Sequence, residues 1–353
     1  MQFVKKDKDE SAKHGVKRNI RNNISSMKIG FLKFFIFISL NIIFLLTACS
    51  INKTEKQSEK PKELKPILEQ DLPKVDLNKV ALGKILFFDP MLSRDRTVSC
   101  ASCHRPDHAF SDDKPVSIGI KGQLGVRNTP TVFNTFRLKH LFWDGRAKSL
   151  EEQALGPIQN PKEMGENLEN VLNKLNNLPY YRLLFEKTFG KGDITKEKLA
   201  SAIAEFERTL ISRDSDFDRF ILGNNNDLSD SAQRGLNLFK GKAMCIACHN
   251  GPDFTDGEFH NIGLPPTEDI GRAKITGKSE DTRKFKTPTL REVANTAPYF
   301  HTGQFQTSEQ VIAYYNAGGG SDPLKDPEKT PLELTPQEQK DLVDFLKSLS
   351  GRI

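Results

Sequence analysis

Two short stretches carry the chemistry of this 353-residue chain: Cys100-Ala-Ser-Cys103-His104 and Cys245-Ile-Ala-Cys248-His249. Cys-x-x-Cys-His is the attachment signature of c-type haem. The two thiols form thioethers with the two vinyl groups on one porphyrin edge, and the next residue is held beneath the metal as an axial ligand. Two copies mean two covalently bound c-type haems. Paired Cys-x-x-Cys can also bind zinc, but zinc ribbons separate their halves by ~15–20 residues, and about 140 intervene here. A redox Cys-x-x-Cys has no need of a histidine after both copies. Cys100, Cys103, Cys245 and Cys248 are therefore read as haem attachment sites, and His104 and His249 as iron ligands.

A haem with both axial positions filled transfers electrons, whereas an open position can bind peroxide or oxygen. Ligand supply thus decides the chemistry. Small class-one cytochromes use a methionine downstream of the motif, but no methionine follows Met244. The downstream candidates are His260, His301, Tyr299, Tyr314 and Tyr315. The two adjacent tyrosines fall in Ser308 to Gly318, a predicted short helix with a serine cap and a glycine stop. Neighbouring helical residues point about 100° apart, so at most one of them faces an iron. Read from spacing alone, either is more naturally core.

The elements that position these residues repeat. Gly83-Lys-Ile-Leu-Phe87, the first haem motif and Phe110-Ser-Asp112 are echoed by Gly235-Leu-Asn-Leu-Phe239, the second motif and Phe254-Thr-Asp256. A helix is expected from Asp76, with Leu77, Val80, Leu82 and Ile85 as apolar positions, ending before Pro90. A long helix is expected from Thr195 to about Leu222, with Leu199, Ile203, Phe206 and Leu210 on one face. At the C-terminus Thr335 caps, Pro336 suits the first turn and Glu338 completes a capping box. No stretch alternates convincingly with strand period. The expected fold is mainly α: two class-one cytochrome c-like haem domains packed together, at 71–228 and 229–353.

What precedes them reads as an address. Lys28 and Lys33 flank an apolar run from Phe34 to Leu46, and Leu46-Thr-Ala-Cys49 follows. That is a signal peptide pattern, and the cysteine after Leu-Thr-Ala resembles a bacterial lipoprotein box, which implies lipidation of Cys49. The alternative is a short uncleaved anchor. Residues 1–48 form the signal region, with Met27 an alternative start, and 49–70 are charged and read as a flexible tether. The expected location is the periplasm, on a membrane through the lipid; Ser50 in place of a retention Asp leans towards the outer membrane. The formal charge of +6 belongs to the leader; the mature part carries basic and acidic residues in equal number, so nothing points to nucleic acid. Every mature cysteine is assigned, which leaves none for a disulfide.

Arg127-Asn-Thr-Pro-Thr-Val-Phe-Asn134, Phe142-Trp-Asp-Gly-Arg146, Glu152-Gln-Ala-Leu-Gly-Pro157 and Asn160-Pro-Lys-Glu-Met164 resemble bacterial dihaem cytochrome c peroxidase. Thr287-Pro-Thr-Leu-Arg-Glu-Val-Ala-Asn295 and Pro298-Tyr-Phe-His-Thr-Gly303 are similar to that family's second domain. The resemblance runs from about residue 76 to the C-terminus. It implies that the haem on His104 is peroxidatic and that the haem on His249 accepts electrons. It implies a relay role for Trp143, the chain's single tryptophan, which would otherwise read as core. It also implies that Glu163 is the distal acid, with Gln153 beside it. Asn128, with backbone oxygens at Thr296 and Pro298, matches a calcium site, and oxygen ligands suit that ion. Members are often dimers, but no exposed apolar signal establishes a homodimer here.

Two departures matter. Where typical members carry a histidine that blocks the peroxidatic iron, this chain has Ile120, which cannot ligate. Where the second haem has its methionine, this chain has Tyr315. Both departures resemble the MauG-like branch, the tryptophan tryptophylquinone maturases of methylamine utilisation. The implied function is hydrogen peroxide reduction, with electrons from a small cytochrome c or a cupredoxin. A maturase-like oxidase acting on a partner protein and a non-enzymatic dihaem electron carrier are the alternatives. His140 is the residue to suspect if the open position proves filled.

Overall fold

The computed structural model describes residues 63–352. The signal region, Cys49 and the tether up to residue 62 lie outside them. The chain is mainly helical, with α1 Leu77–Phe88, α2 Leu150–Gln159, α3 Leu168–Asn177, α4 Pro179–Phe189 and α5 Lys196–Glu207. There follow α6 Asp216–Ile221, α7 Asp230–Lys240, α8 Ala273–Thr276, α9 Ser308–Asn316 and α10 Pro336–Lys347. The strands β1 Phe259–His260 and β2 Phe285–Lys286 pair antiparallel, with His260 opposite Phe285. Among the described residues no helix is long and apolar enough to cross a membrane.

The repeat in the sequence becomes two matching helix pairs, α1 on α5 and α7 on α10. A glycine marks the crossing in each. A Cβ on Gly83 would lie 1.8 Å from the carbonyl oxygen of Ala202, and one on Gly235 would lie 2.0 Å from that of Asp341. Only a residue without a side chain lets the backbones approach so closely. One turn later Phe87 meets Phe206 edge-on at 5.2 Å, and Phe239 meets Phe345 at 5.1 Å. These rings anchor two separate apolar cores, one drawn from Leu82 to Leu210 and the other from Leu64 and Phe217 to Leu349.

The ends of α1 and α10 are where the sequence puts them. Asp76 accepts the N–H groups of Asn78 and Lys79, and Thr335 and Glu338 form a reciprocal capping box. Four expectations need correction. The long helix from Thr195 to Leu222 stops at Glu207 because Ser212 is clamped from outside: Asn134 exchanges two 3.0 Å hydrogen bonds with its backbone. The chain then changes cores between Leu210 and Phe217, so α6 packs with the second core although it precedes the expected boundary at 228. The tether does not extend to residue 70: Leu64 and Ile67 are buried, the Gly251 N–H donates to the Glu63 carbonyl at 2.7 Å, and the buried Arg291 donates to that of Lys65. Finally, α9 is capped by Thr307, not Ser308, through a capping box with Gln310.

Candidate active site

Each haem motif folds as one 3₁₀ turn, Cys100–Ser102 and Cys245–Ala247. The histidine N–H then donates back to the first cysteine's carbonyl, at 2.9 Å for His104 and 2.8 Å for His249. In the ring, Nδ1 of His104 donates to the Phe110 carbonyl at 3.1 Å, and Nδ1 of His249 to that of Phe254 at 2.9 Å. Both phenylalanines hold φ at +51°, in the left-handed region. Such strain is maintained where surrounding structure over-determines it, and here it turns a carbonyl onto each imidazole. With Nδ1 protonated, the lone pair on Nε2 is free to bind iron. Burial lowers the pKa of both rings, to about 4 for His249. The neutral, ligating form therefore holds at neutral pH. All four described cysteines are unpaired, as thioether formation requires.

Beside His104 lies a cavity of about 920 Å³, at the upper end of the ~300–1,000 Å³ typical of ligand pockets. Cys100, Cys103, His104, Trp143, Gln153 and Glu163 all line it. Asn160 Nδ2 donates to Glu163 Oε1 at 2.8 Å. Burial nonetheless raises the pKa of Glu163, against the opposing pull of the Arg146 guanidinium and the Asn160 hydrogen bond. Ile120 is turned away from the cavity into the core, 2% exposed. Its N–H donates to the Glu163 carbonyl at 2.8 Å, and its Cδ1 fills the space over Gly165. His140 stands edge-on to Phe259, with ring centroids 5.5 Å apart, and does not line the cavity.

One lining residue escaped the sequence reading. Glu207 is 4% exposed, and its Oε2 has no hydrogen-bond partner among the described residues. Burial pushes its pKa up to about 8, with the Arg208 charge opposing. A buried carboxyl without a partner is costly. Its presence in the wall of a porphyrin-sized cavity fits a cofactor there. The signal was in the spacing, since Glu207 continues the Leu199–Ile203 stripe at every fourth residue.

At the second motif the candidate ligands sort themselves by their hydrogen bonds. His260 has both ring nitrogens committed, to Asp256 at 3.0 Å and Asp326 at 2.9 Å. Those carboxylates hold its pKa up at about 11. His301 lies in the wall of the first cavity, stacked on Phe285 at 3.5 Å. The hydroxyl of Tyr299 donates to the Val293 carbonyl and that of Tyr314 to the Ile262 carbonyl, both at 2.9 Å. Tyr315 alone of these tyrosines has a hydroxyl that makes no hydrogen bond among the described residues. Burial and the neighbouring thiols of Cys245 and Cys248 raise its pKa, which places its ring at the second motif.

Trp143 Nε1 donates to the Asn128 carbonyl at 2.8 Å, and the ring meets His301 edge-on at 6.2 Å. Asn128 is buried. Its N–H donates to the His301 carbonyl at 2.8 Å, and its Nδ2 donates to Lys114 O at 3.1 Å. Its Oδ1, like the carbonyls of Thr296 and Pro298, accepts no hydrogen bond among the described residues. These three oxygens belong to segments that the Asn128–His301 bond ties together.

Comparison with known proteins matches residues 77–226 to the family described as di-haem cytochrome c peroxidase and residues 232–350 to cytochrome c. Methylamine utilization protein MauG of Methylorubrum extorquens is 43% identical over 276 residues, covering 77% of this chain and 78% of that protein. Cytochrome c551 peroxidase of Nitrosomonas europaea is 41% identical, covering 76% and 79%. The solved structure of a MauG-like protein associated with microbial copper homeostasis superposes with a TM-score of 0.74 at 32% identity, covering 84% of this chain and 95% of that one.

Proposed function

This chain belongs to the di-haem cytochrome c peroxidase family, and on that premise we propose that it reduces hydrogen peroxide to water at the haem carried by His104. His249 would hold the haem that receives electrons from a small cytochrome c or a cupredoxin, and Trp143 would relay them. Haem held by Cys100, Cys103 and His104 would supply the redox-active iron centre for a two-electron reduction of peroxide. The observation that carries the proposal is Glu163: a half-buried carboxyl, held by Asn160, in the same cavity wall as His104. Glu163 takes the proton from the peroxide oxygen nearer the metal and hands it to the outer oxygen, so that water leaves instead of hydroxide. Its raised pKa brings it closer to neutrality, where a carboxylate is a more effective base. Gln153 orients the peroxide from the same wall. Two protons from solvent and two electrons complete the conversion to two waters.

The reading extends to parts supported by sequence and by unpartnered atoms. Tyr315, beside Cys245 and Cys248, would be the second protein residue to bind the iron held by His249. Asn128 Oδ1 with the Thr296 and Pro298 carbonyls would hold one calcium ion, since oxygen ligands suit it. Lipid on Cys49 tethers the folded body to a bacterial membrane in the periplasm. A second reading, an oxidase that draws electrons from a partner protein's side chains, is favoured by Tyr315 and by the relatives named MauG.

Peroxide turnover with a panel of donors (reduced small cytochromes, a copper protein, a quinol) separates the two. A peroxidase turns over with a small donor, and Glu163→Gln lowers the rate by ~10²–10⁴-fold with both haems still attached. Failure of every small donor would favour the oxidase. Unchanged turnover in Glu163→Gln would remove that residue from the mechanism.

A further inference from the structure

His260 is held as a cation by its surroundings. It closes β1, and both of its ring nitrogens face carboxylates: Nε2 meets Asp256 Oδ2 at 3.0 Å and Nδ1 meets Asp326 Oδ2 at 2.9 Å. An ionised carboxylate only accepts hydrogen bonds, so both nitrogens must donate, and only the imidazolium carries two N–H groups. The side chains of His260, Asp256 and Asp326 are 27%, 16% and 14% exposed, so water screens their charges only in part.

That cation lies beside the second haem motif. The Asp256 N–H donates to the Cys248 carbonyl at 2.7 Å, and Cys248 Sγ, an Asp256 carboxylate oxygen and a His260 ring nitrogen lie within 4.8 Å of one another. Thiol, carboxylate and imidazole are metal-ligating types, but Cys248 is committed to a thioether and both His260 nitrogens to carboxylates. What remains there is a cluster of charge. Lys329 adds a second cation, its Nζ 3.9 Å from Cys248 Sγ. The charges of Asp256, Lys329 and His260 all reach the His249 ring, the carboxylate favouring its protonated form and the two cations opposing it. The first motif lacks the histidine: Asp112 stands at the repeat position of Asp256, and the residue four further on is Val116.

We propose that His260 is a fixed cation that raises the midpoint potential of the haem on His249, offsetting the two carboxylates that would otherwise depress it. It touches neither the iron nor peroxide and acts through its charge on the site that Cys248 and His249 build. One electron taken up from an outside donor lowers the charge at the iron by one. A neighbouring cation stabilises that reduced form and a neighbouring carboxylate destabilises it. The proposal rests on haem attachment at Cys245–His249, which the haem content of the unsubstituted protein tests separately.

The test is redox titration of His260→Gln and Asp256→Asn in the dihaem protein, with the two haems followed separately by their spectra. The first variant removes a positive charge and the second a negative one, so the shifts should have opposite signs. The expected result is a lower midpoint potential for the His249 haem in His260→Gln, a higher one in Asp256→Asn, and an unchanged potential for the His104 haem in both. No shift at the His249 haem, or a shift of the same sign in both variants, would overturn the proposal, since loosened packing has no reason to follow the sign of the charge removed. If His260→Gln does not retain its haems, Asp256→Asn decides: a raised potential supports the charge cluster, and an unchanged or lowered one shows that His260 serves packing instead.

Discussion

On the proposed mechanism the chemistry turns on one proton at Glu163. There Glu163 works as the carboxylate, and burial makes it hold its proton to a higher pH than an ordinary glutamate. Turnover should therefore fall as pH drops through that raised pKa and level off above it. A pH–rate profile of the unsubstituted protein should show this acid limb; a profile flat through the acid range would assign the base elsewhere. Tyr315 makes a second residue-scale prediction. Tyr315→Phe should change the low-spin electron paramagnetic resonance signal of the His249 haem, and Tyr314→Phe, whose hydroxyl is spent on Ile262, should not. Spacing alone left these neighbours equivalent, because which face of α9 meets the second motif depends on distant contacts such as that of Tyr314 with Ile262, 52 residues away. Glu207 follows the same apolar stripe, but the spacing does not say that its carboxyl is buried, and buried glutamates are rare.

At the level of elements, the repeat was fully legible, and its reason was not. Gly83 and Gly235 read as a shared pattern, but only the packed helices show that a methyl group at either would meet a backbone carbonyl. Gly83→Ala or Gly235→Ala should each destabilise the protein by about 1–3 kcal/mol through overpacking, read as a lower thermal midpoint with both haems attached. An unchanged midpoint would mean that the helix pairs can slide apart freely. Helix ends set by neighbours in sequence, at Asp76 and Thr335, followed from the sequence. The end of α5 did not, because it is imposed by Asn134, 78 residues away from Ser212.

The molecule as a whole is tied by buried ions that a sequence does not announce. Arg127 joins Asp144 and Asp269 at 2.6 Å each, and the fully buried Arg291 grips Asp218 with two nitrogens at 2.6 and 2.8 Å. Removing one partner of such a pair typically costs ~3–5 kcal/mol, so Arg291→Ala should lower the chemical denaturation midpoint strongly. Ile120 carries the larger consequence. The position at which the resemblance implies a blocking histidine is packed into the core, so the His104 site is expected to react with peroxide without a preceding reduction. The most direct measurement is rapid mixing of the fully ferric dihaem protein with hydrogen peroxide, comparing the unsubstituted chain with Glu163→Gln. Peroxide should be consumed at once by the ferric protein, with a change in the spectrum of the His104 haem, and far more slowly by the variant. A ferric protein inert until one electron has been added, or a variant that reacts equally fast, would contradict the account.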